Sequence, residues 1–238
     1  MSGVVFHEKK ANFIDGYLAS GNITLPSNSF MYDTTLPTFV AYAFFGCHHS
    51  NGGNFDAGIQ VAGSGKYRLF INGGSVIEKK GDSTWYESPN SFSASGTHKL
   101  TVELIYVNSN KGQVKVSACG QSLSANFASG QWSGKFQNGV MFWKEMTIAA
   151  SLNPFSNMWA GANKLRTQRV YMSDMTFGEV KVLRHSGGST QYSLDSNCSP
   201  SSTPKIDGSG SLPSWSQMRY GGLPTSGSSN KFSIDCRP

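Results

Sequence analysis

The sequence predicts an all-β fold, an antiparallel β-sandwich built from two sheets. Apolar and polar residues alternate in short stretches between Phe39 and Leu183, as in Thr101–Val107 and Gln113–Ala118. Successive side chains of a strand point to opposite faces, so this alternation buries one face of each strand. Charged residues make up only 14% of the chain, and its 27 glycines separate the stretches, which is typical of strands and turns. We expect little helix.

The first stretches predict a strand interrupted by a turn and then a buried strand. Tyr17–Ala19 and Asn22–Pro26 are separated by a Ser-Gly pair, which is a common turn signal. The run Phe39–Phe45 is apolar on both faces. We expect this run to lie deep in the sandwich or beneath a covering loop.

Two hairpins are predicted next. Phe55–Val61 and Tyr67–Asn72 flank the turn residues 62–65, and Asn72–Gly74 then separates the second strand from a further one at Ser75–Lys79. An Asn-Gly pair supplies the positive φ that a tight reversal needs. Gly63–Lys66 lacks the full spacing of a phosphate-binding loop and is predicted to be a turn.

The second half continues as a meander. A polar loop at residues 81–95 precedes a hairpin of Lys99–Val107 and Gln113–Ala118. Two more strands follow at Val140–Ala149 and Gln168–Leu183, with a loop at residues 153–164 between them. From Arg184 onward Ser, Gly and Pro dominate. We therefore predict one β-sandwich domain over residues 1–183 and an irregular extension over residues 184–238 that packs on it.

The charge pattern argues against nucleic acid and membrane partners. The net charge of +6 and pI of 9.1 would attract anionic polymers, but the basic residues are scattered and form no cluster. No stretch approaches 18 consecutive apolar residues. We predict no nucleic-acid partner and no membrane insertion, and the pattern leaves the oligomeric state open.

Four cysteines at wide spacing favour disulfides and an oxidising, extracellular location. Cys198 and Cys236 bracket the extension, where a crosslink would remove much loop entropy, so we expect these two to pair. Cys47 and Cys119 lie at the ends of strand segments. They form a second disulfide if the strands are neighbours, and free buried thiols otherwise.

Strand parity leaves a polar face that suits a sugar. Removing the core-facing residues leaves one set exposed: Asp56, Gln60, Arg68, Asn72, Glu103, Gln113, Lys115, Trp143 and Glu145. Hydrogen-bonding groups beside an aromatic ring match the hydroxyl rim and apolar C–H face of a sugar. In the alternative interpretation these residues only cover the solvent side of a sheet. Trp85, Tyr86 and Trp132 are either ligand platforms or residues that pin loops to the sandwich.

The same residues permit an enzyme hypothesis. Glu103 and Glu145 are the candidate acid–base pair of a glycosidase, which needs carboxyl groups roughly 5–5.5 Å or 6.5–9.5 Å apart. A polysaccharide lyase would use a base such as Tyr171 or His98 with Arg169 as the cation. The positions of these residues in the sequence do not match any spacing that is typical of a catalytic site. His48–His49 is predicted to be an ordinary loop, because neighbouring side chains in an extended chain point apart.

Three segments resemble landmarks of the concanavalin A-like jelly rolls: Asn22–Pro26, Asn54–Ile59 and Val170–Phe177. Their order, with the Phe-Asp-Ala-Gly element, is similar to YrpD-type secreted bacterial proteins. The resemblance covers residues 11–183 and implies a jelly-roll fold and secretion. The chain departs from the glucanase members by lacking their carboxylate cluster. A calcium ion, common in this superfamily, would have Asp33, Asp56 or Asp174 as ligands.

These observations together predict a secreted, lectin-like protein that binds a carbohydrate or cell-surface polymer without catalysis. The predicted ligand-binding residues are Asp56, Gln60, Arg68, Trp85, Trp143 and Glu145. The alternative is a polysaccharide lyase or glycosidase on the same fold, and a third hypothesis is a structural surface protein. No cofactor is expected, and the resemblance allows a structural calcium ion.

Overall fold

Two antiparallel sheets pack face to face and confirm the predicted β-sandwich. The computed structural model describes residues 2–11, 15–25, 30–31, 39–49, 52–63, 65–150, 171–184, 191–193, 198–201, 205–206, 219–220 and 230–235. A short helix α1 (Gln131–Gly134) and a 3₁₀ turn (Phe136–Asn138) are the helical elements of these residues.

We call the first of the two sheets the front sheet. Its strands are β1 (Ser2–Ala11), β4 (Phe39–His48), β5 (Asn54–Gly63), β6 (Lys66–Asn72), β7 (Trp85–Glu87), β8 (Phe92–Ser93), β12 (Met141–Ala150), β15 (Cys198–Ser201) and β16 (Lys205–Ile206). They are ordered β15-β1-β12-β4-β5-β6-β7, while β16 pairs with β1 and β8 pairs with β6.

We call the second sheet the back sheet. Its strands are β2 (Gly16–Leu25), β3 (Phe30–Met31), β9 (Gly96–Asn108), β10 (Lys111–Ala118), β11 (Gln121–Asn126), β13 (Tyr171–Arg184), β14 (Gln191–Ser193), β17 (Arg219–Tyr220) and β18 (Asn230–Asp235). They are ordered β11-β10-β9-β2-β13-β18-β17, and both β3 and β14 pair with β13.

The core lies between the two sheets and is rich in aromatic rings. Phe45 of the front sheet contacts Phe142 on the neighbouring strand and Phe177 of the back sheet, at centroid distances of 6.3 and 5.1 Å. Lys144 is also inside, with 1% of its surface exposed, and its Nζ donates to the backbone oxygen of Phe177 at 2.8 Å. This bond joins the two sheets and supplies the buried ammonium with an acceptor.

Several predicted elements are confirmed. β5 and β6 form the first hairpin, and β9 and β10 form the hairpin across Asn108–Gly112. The strands predicted at Val140–Ala149 and Gln168–Leu183 correspond to β12 and β13. The predicted loop at residues 153–164 lies outside the described residues.

The predicted turn within the first strand is wrong, because β2 is continuous from Gly16 to Leu25. The glycine at position 21 avoids a steric clash and does not reverse the chain direction. A Cβ at this position would lie 2.7 Å from Val180 Cγ2 and 3.0 Å from Phe177 Cε2. The glycine therefore lets the inner face of β13 approach β2 closely.

The second predicted hairpin is also wrong. The amide of Val76 donates to the Gly73 oxygen at 2.9 Å and closes a tight turn, after which Ile77 bridges to Phe127 near the back sheet. The strand that returns along β6 is instead β7, followed by β8. Both lie within residues 81–95, which were predicted to be a polar loop.

The described pieces of the C-terminal extension belong to the sheets. β14 and β18 pair with β13 in the back sheet, and β15 and β16 pair with β1 in the front sheet. The extension thus adds strands to both layers wherever it is described. The domain boundary at residue 183 stays a prediction.

The predicted Cys47–Cys119 disulfide is wrong, because both residues are free thiols. Cys47 lies on β4 of the front sheet, whereas Cys119 follows β10 of the back sheet, so their strands are not neighbours. Cys236 lies outside the described residues, so its pairing with Cys198 stays a prediction.

The two thiols should be slow to react in the folded protein. Burial and then the nearby Asp56 carboxylate raise the pKa of Cys47 well above its usual value, and burial raises the pKa of Cys119 to about 11. Since the thiolate is the nucleophile, we expect little alkylation of either residue by iodoacetamide at pH 7.5, and full alkylation in urea. Peptide mass spectrometry measures both. A peptide crosslink between Cys47 and Cys119 would contradict the structure.

Candidate functional site

The outer side of the front sheet, which we call the front face, brings the predicted binding residues together. Alternate residues of β4, β5, β6, β7 and β12 point outward, because their neighbours fill the core. Strand register sets the outward residues in rows across the sheet. One row runs Trp143, Gly46, Asp56, Asn72, Trp85.

A second row combines two glutamates with two aromatic residues. It runs Glu145, Phe44, Gly58, Phe70, Glu87 across the same five strands. Beside it lies a shorter row of Tyr42, Gln60 and Arg68. The front face therefore mixes carboxylates, an amide, a guanidinium and aromatic rings.

A groove of about 530 Å³ opens at the β7 end of the front face. Its walls include Tyr42, Gln60, Arg68, Trp85, Glu87 and Ser91. This volume lies within the range of about 300–1,000 Å³ that is typical of ligand sites. We call it the front groove.

Aromatic packing fixes the position of Trp85 in this groove. Its indole stacks on Phe70, with ring centroids 5.1 Å apart and planes 9° from parallel. Tyr42 contacts both rings edge-on, at 5.2 Å from Phe70 and 6.0 Å from Trp85. Phe70 is 2% exposed, whereas Trp85 is only partly buried. The outer side of the indole is thus a rigid platform at the wall of the groove.

A polar network centred on Glu87 lies beside this platform. Glu87 Oε2 accepts hydrogen bonds from Gln60 Nε2 at 2.6 Å and from Arg68 Nη1 at 3.2 Å. The Nε of Arg68 is buried and has no hydrogen-bond partner within the described part of the chain. Burial, assisted by the Glu87 carboxylate, raises the pKa of Tyr42. The groove therefore offers both donors and acceptors at fixed positions.

The sequence placed some of these residues correctly and missed others. Asp56, Gln60, Arg68, Trp85, Trp143 and Glu145 all lie on the front face. Glu103, Gln113 and Lys115 lie on the outer side of the back sheet, on β9 and β10. Glu87 was missed because it follows Trp85–Tyr86 in an apparent loop. Tyr42 was missed within an apolar run, where its parity with Phe44 was the available signal.

Glu103 and Glu145 do not form the predicted glycosidase pair, because they lie on outer faces of different sheets, on opposite sides of the sandwich. Glu145 and Glu87 share a row but are four strands apart, about 19 Å at the usual strand spacing. Asp56 lies two strands and two residues from each, about 12 Å on the same basis. These separations exceed those of both hydrolytic mechanisms. Glu8 of β1 differs, because the strand register places it directly opposite Glu145.

The lyase candidates are equally dispersed. His98 lies on β9 of the back sheet, where its Nε2 is 2.9 Å from the Ser95 backbone oxygen. Tyr171 begins β13 of the same sheet, and Arg169 lies outside the described residues. The front groove contains none of these three residues among its described walls.

His48 ends β4 and His49 follows it, so the predicted loop begins one residue later, and the two rings point in different directions as predicted. The ring of His48 contacts Trp143 on the front face at 6.3 Å, while the ring of His49 lies 5.6 Å from Phe136 in the core. Among the described residues no group of three or more His, Cys, Asp or Glu side chains is arranged to hold a metal ion. Of the candidate calcium ligands, Asp56 lies on the front face and Asp33 lies outside the described residues.

His49 should make stability depend on pH. Burial is the main reason that its pKa is lowered, and Lys135 and His48 add to the effect. The unfolded chain therefore binds more protons, so we expect the free energy of unfolding to fall as pH drops below about 6.5. Urea denaturation between pH 5 and 7.5 measures this slope. His49→Gln should flatten it and His98→Gln should not, and equal slopes in both variants would contradict the assignment.

Comparisons with known proteins bear on the fold alone. No family model and no curated protein matches the chain. Scytalido-glutamic peptidase is similar over 98% of this chain and 95% of its own, at 13% identity and a TM-score of 0.49. SCP-B of the Eqolisin family of peptidases is similar over 98% of both chains, at 15% identity and a TM-score of 0.44.

An endo-1,3-beta-glucanase from Streptomyces sioyaensis matches over a shorter stretch. It covers 58% of this chain and 55% of its own, at 13% identity and a TM-score of 0.37. No helix among the described residues is long and apolar enough to cross a membrane. None of these likenesses reaches a TM-score of 0.5, so the candidate site rests on this chain's own residues alone.

Proposed function

We propose that this chain is a carbohydrate-binding β-sandwich that holds a polysaccharide on its front face without cleaving it. The observation that carries the proposal is the Trp85–Phe70 stack beside the Gln60–Glu87–Arg68 network. An apolar platform next to convergent donors and acceptors matches the two surfaces of a sugar ring.

The charges of the front groove favour a neutral sugar. Arg68 and Glu87 form an ion pair at 3.2 Å, so their charges offset each other. A sugar hydroxyl both donates and accepts, and it suits a site where the Glu87 carboxylate is an acceptor and the Gln60 amide and Arg68 guanidinium are donors. A uronate would instead bring its carboxylate next to Glu87 and to the Asp56 side of the face.

The length of the front face favours a polymer over a single sugar. Trp143 and Trp85 end the same row of residues, about 19 Å apart at the usual strand spacing. The Trp143 indole lies against Gly46, where a Cβ would be only 2.2 Å from its Nε1. A glycan chain along this row would contact an indole at each end.

The absence of turnover is proposed from the spacing of Asp56, Glu87 and Glu145. These three carboxylates are farther apart than either glycosidase mechanism requires. Glu8 lies opposite Glu145 in the strand register, but neither residue is among the described walls of the front groove. Secretion, and the likeness to YrpD-type secreted proteins, belong to the same proposal. They rest on the short motifs and on the predicted pairing of Cys198 with Cys236.

The test is retention of purified protein on a panel of immobilised neutral and acidic polysaccharides, with product analysis of the same incubations. We expect retention on a neutral polysaccharide that stays intact, and its loss in Trp85→Ala. Tyr106→Ala is the matched control, because it removes an aromatic ring that is 63% exposed and lies outside the front face. Shortened chains would support the enzyme alternative. Retention on none of the polysaccharides would overturn the proposal.

A further inference from the structure

Strand β11 (Gln121–Asn126) forms one outer edge of the back sheet. It packs against β6 and β7 of the front sheet, so it lies at the side of the sandwich where β7 ends the front sheet. The described strands of the C-terminal extension pair with β1, β13 and β18, away from this side. None of these strands therefore lies beside β11.

Hydrogen bonds show which backbone groups of β11 face outward. The amide of Phe127, directly after β11, donates to a β10 oxygen at 3.0 Å, so residue 127 faces β10. The Asn126 oxygen faces away from β10, because it accepts from the Glu78 amide at 2.9 Å. Backbone groups alternate between the two sides of an antiparallel strand. Ser122 and Ser124 therefore direct their N–H and C=O groups away from β10.

These outward groups of Ser122 and Ser124 have no backbone partner in the described part of the chain. The segment Val76–Glu78 covers only the end of the edge. It accepts from the Ala128 amide at 2.9 Å and donates to the Asn126 oxygen, and no further backbone bond joins it to β11. Both serines are exposed. The middle of β11 is therefore an open edge.

This edge lacks the features that usually keep an exposed strand from pairing. Charged side chains, prolines and bulges serve that purpose. The sequence of β11 contains no charge and no proline, and its register with β10 has no shift. The neighbouring edge strand β7 differs, because it is short and carries Glu87, and its Trp85 amide donates to Ser83 Oγ at 3.0 Å.

We propose that β11 pairs in antiparallel fashion with β11 of a second copy, so that two back sheets join into one. Free N–H and C=O groups along an edge are completed by another strand. A second copy fits because a two-fold axis lets Ser122 of each copy exchange both backbone bonds with Ser124 of the other. The chain has a net charge of +6, yet the copies meet here through an uncharged segment.

The geometry of this dimer sets the direction of the front faces. Opposite residues of an antiparallel pair have their side chains on the same face of the sheet, so the two-fold axis is perpendicular to the joined sheet. Both front faces then point the same way. Two front grooves are presented to one surface, and under the proposed function, on which this consequence rests, one polysaccharide is held at two points.

Sedimentation equilibrium of the full chain between about 5 μM and 1 mM is the first measurement. We expect a reversible monomer–dimer equilibrium with a Kd on the order of 100 μM, since roughly four backbone hydrogen bonds join the copies. Ser122→Lys should weaken association by at least about tenfold, because it places like charges on facing strands.

Ser117→Lys is the matched control. Ser117 lies opposite Ser122 on β10, so the same substitution is made on the same outer face, one strand away from the edge. The two copies of this residue would be three strand spacings apart, about 14 Å, which exceeds the Debye length of about 8 Å at physiological salt. This variant should associate as the wild type does.

Amide hydrogen exchange locates the interface. Exchange at Ser122 and Ser124 should slow as the protein concentration rises, whereas the Leu123 amide, which faces β10, should be protected at every concentration. Ser124→Pro removes one outward N–H without removing a bond to β10, and should abolish the dimer.

Three outcomes would overturn the proposal. They are a monomer at 1 mM, equal association of Ser122→Lys and Ser117→Lys, and a dimer in which the Ser122 and Ser124 amides exchange as in the monomer. None of these measurements uses a polysaccharide, so a failure of the dimer is distinguishable from a failure of the proposed function.

Discussion

Gly58→Ala should destabilise the protein by about 3 kcal/mol, since no space exists for the added methyl group. Gly58 lies in the middle of β5, between Phe44 and Phe70 in one row of the front face. Its Cβ would be 2.3 Å from the Ala43 oxygen and 2.5 Å from the Phe44 Cα. These are backbone atoms of β4, so the clash cannot be relieved by a rotamer change. The two central strands would have to separate.

Thermal and urea denaturation measure this effect. For a chain of this length, the expected loss corresponds to a fall in Tm of about 6–12 °C. Gly134→Ala is the matched control, because no atom lies within 4 Å of the added Cβ and the residue ends helix α1. That variant should change stability by less than about 0.5 kcal/mol. Equal Tm values for the two variants would show that β4 and β5 are not packed as described.

Glu87→Gln should weaken polysaccharide binding by about tenfold while leaving the fold intact. Glu87 is the shared acceptor of Gln60 and Arg68, and an amide keeps its shape but removes its charge. The variant leaves Arg68 without a counter-charge and replaces one charge-assisted acceptor by a weaker one. The loss corresponds to about 1.4 kcal/mol of binding free energy. Stability should change by less than about 0.5 kcal/mol, because the Glu87 side chain is 39% exposed.

Affinity for the polysaccharide retained by the wild type is the measurement, by calorimetry or by affinity electrophoresis. Glu78→Gln is the control, since Glu78 accepts a hydrogen bond from Asn126 at 2.9 Å in an exposed turn outside the front face. It should bind as the wild type does. If Glu87→Gln bound the polysaccharide as tightly as the wild type, the polar network would not contribute to binding. Only the aromatic platform would then remain as the candidate binding site.

Residue alternation was enough to predict the sandwich and half of the site. Asp56, Gln60 and Arg68 alternate with core residues on two strands of one hairpin, so parity alone placed them on a common face. Glu103 shows the limit of that argument. Its parity was correct, but alternation says only that a residue points outward, and does not say from which sheet.

The elements that were missed lack a local signal. Trp85–Glu87 lies in a polar segment, and becomes a strand only because β6 offers a free edge beside it. A glycine caused the opposite error, a turn predicted where the structure has a continuous strand. Gly21 looks like a turn residue in sequence, whereas it lies inside a continuous strand because its neighbours leave no room for a side chain. Both effects come from tertiary packing, which a window of sequence does not contain.

Strand β1 has a consequence for how the protein reaches its native state. It is the first strand of the chain, yet its neighbours are β12 and the late strands β15 and β16. A ribosome releases β1 long before any of these partners, so β1 stays unpaired at least until β12 has been made. Such long-range pairing folds slowly, and the uncovered strand is an edge on which nascent chains can associate. The order of the strands therefore leaves the newly made chain exposed to association until its later strands are available.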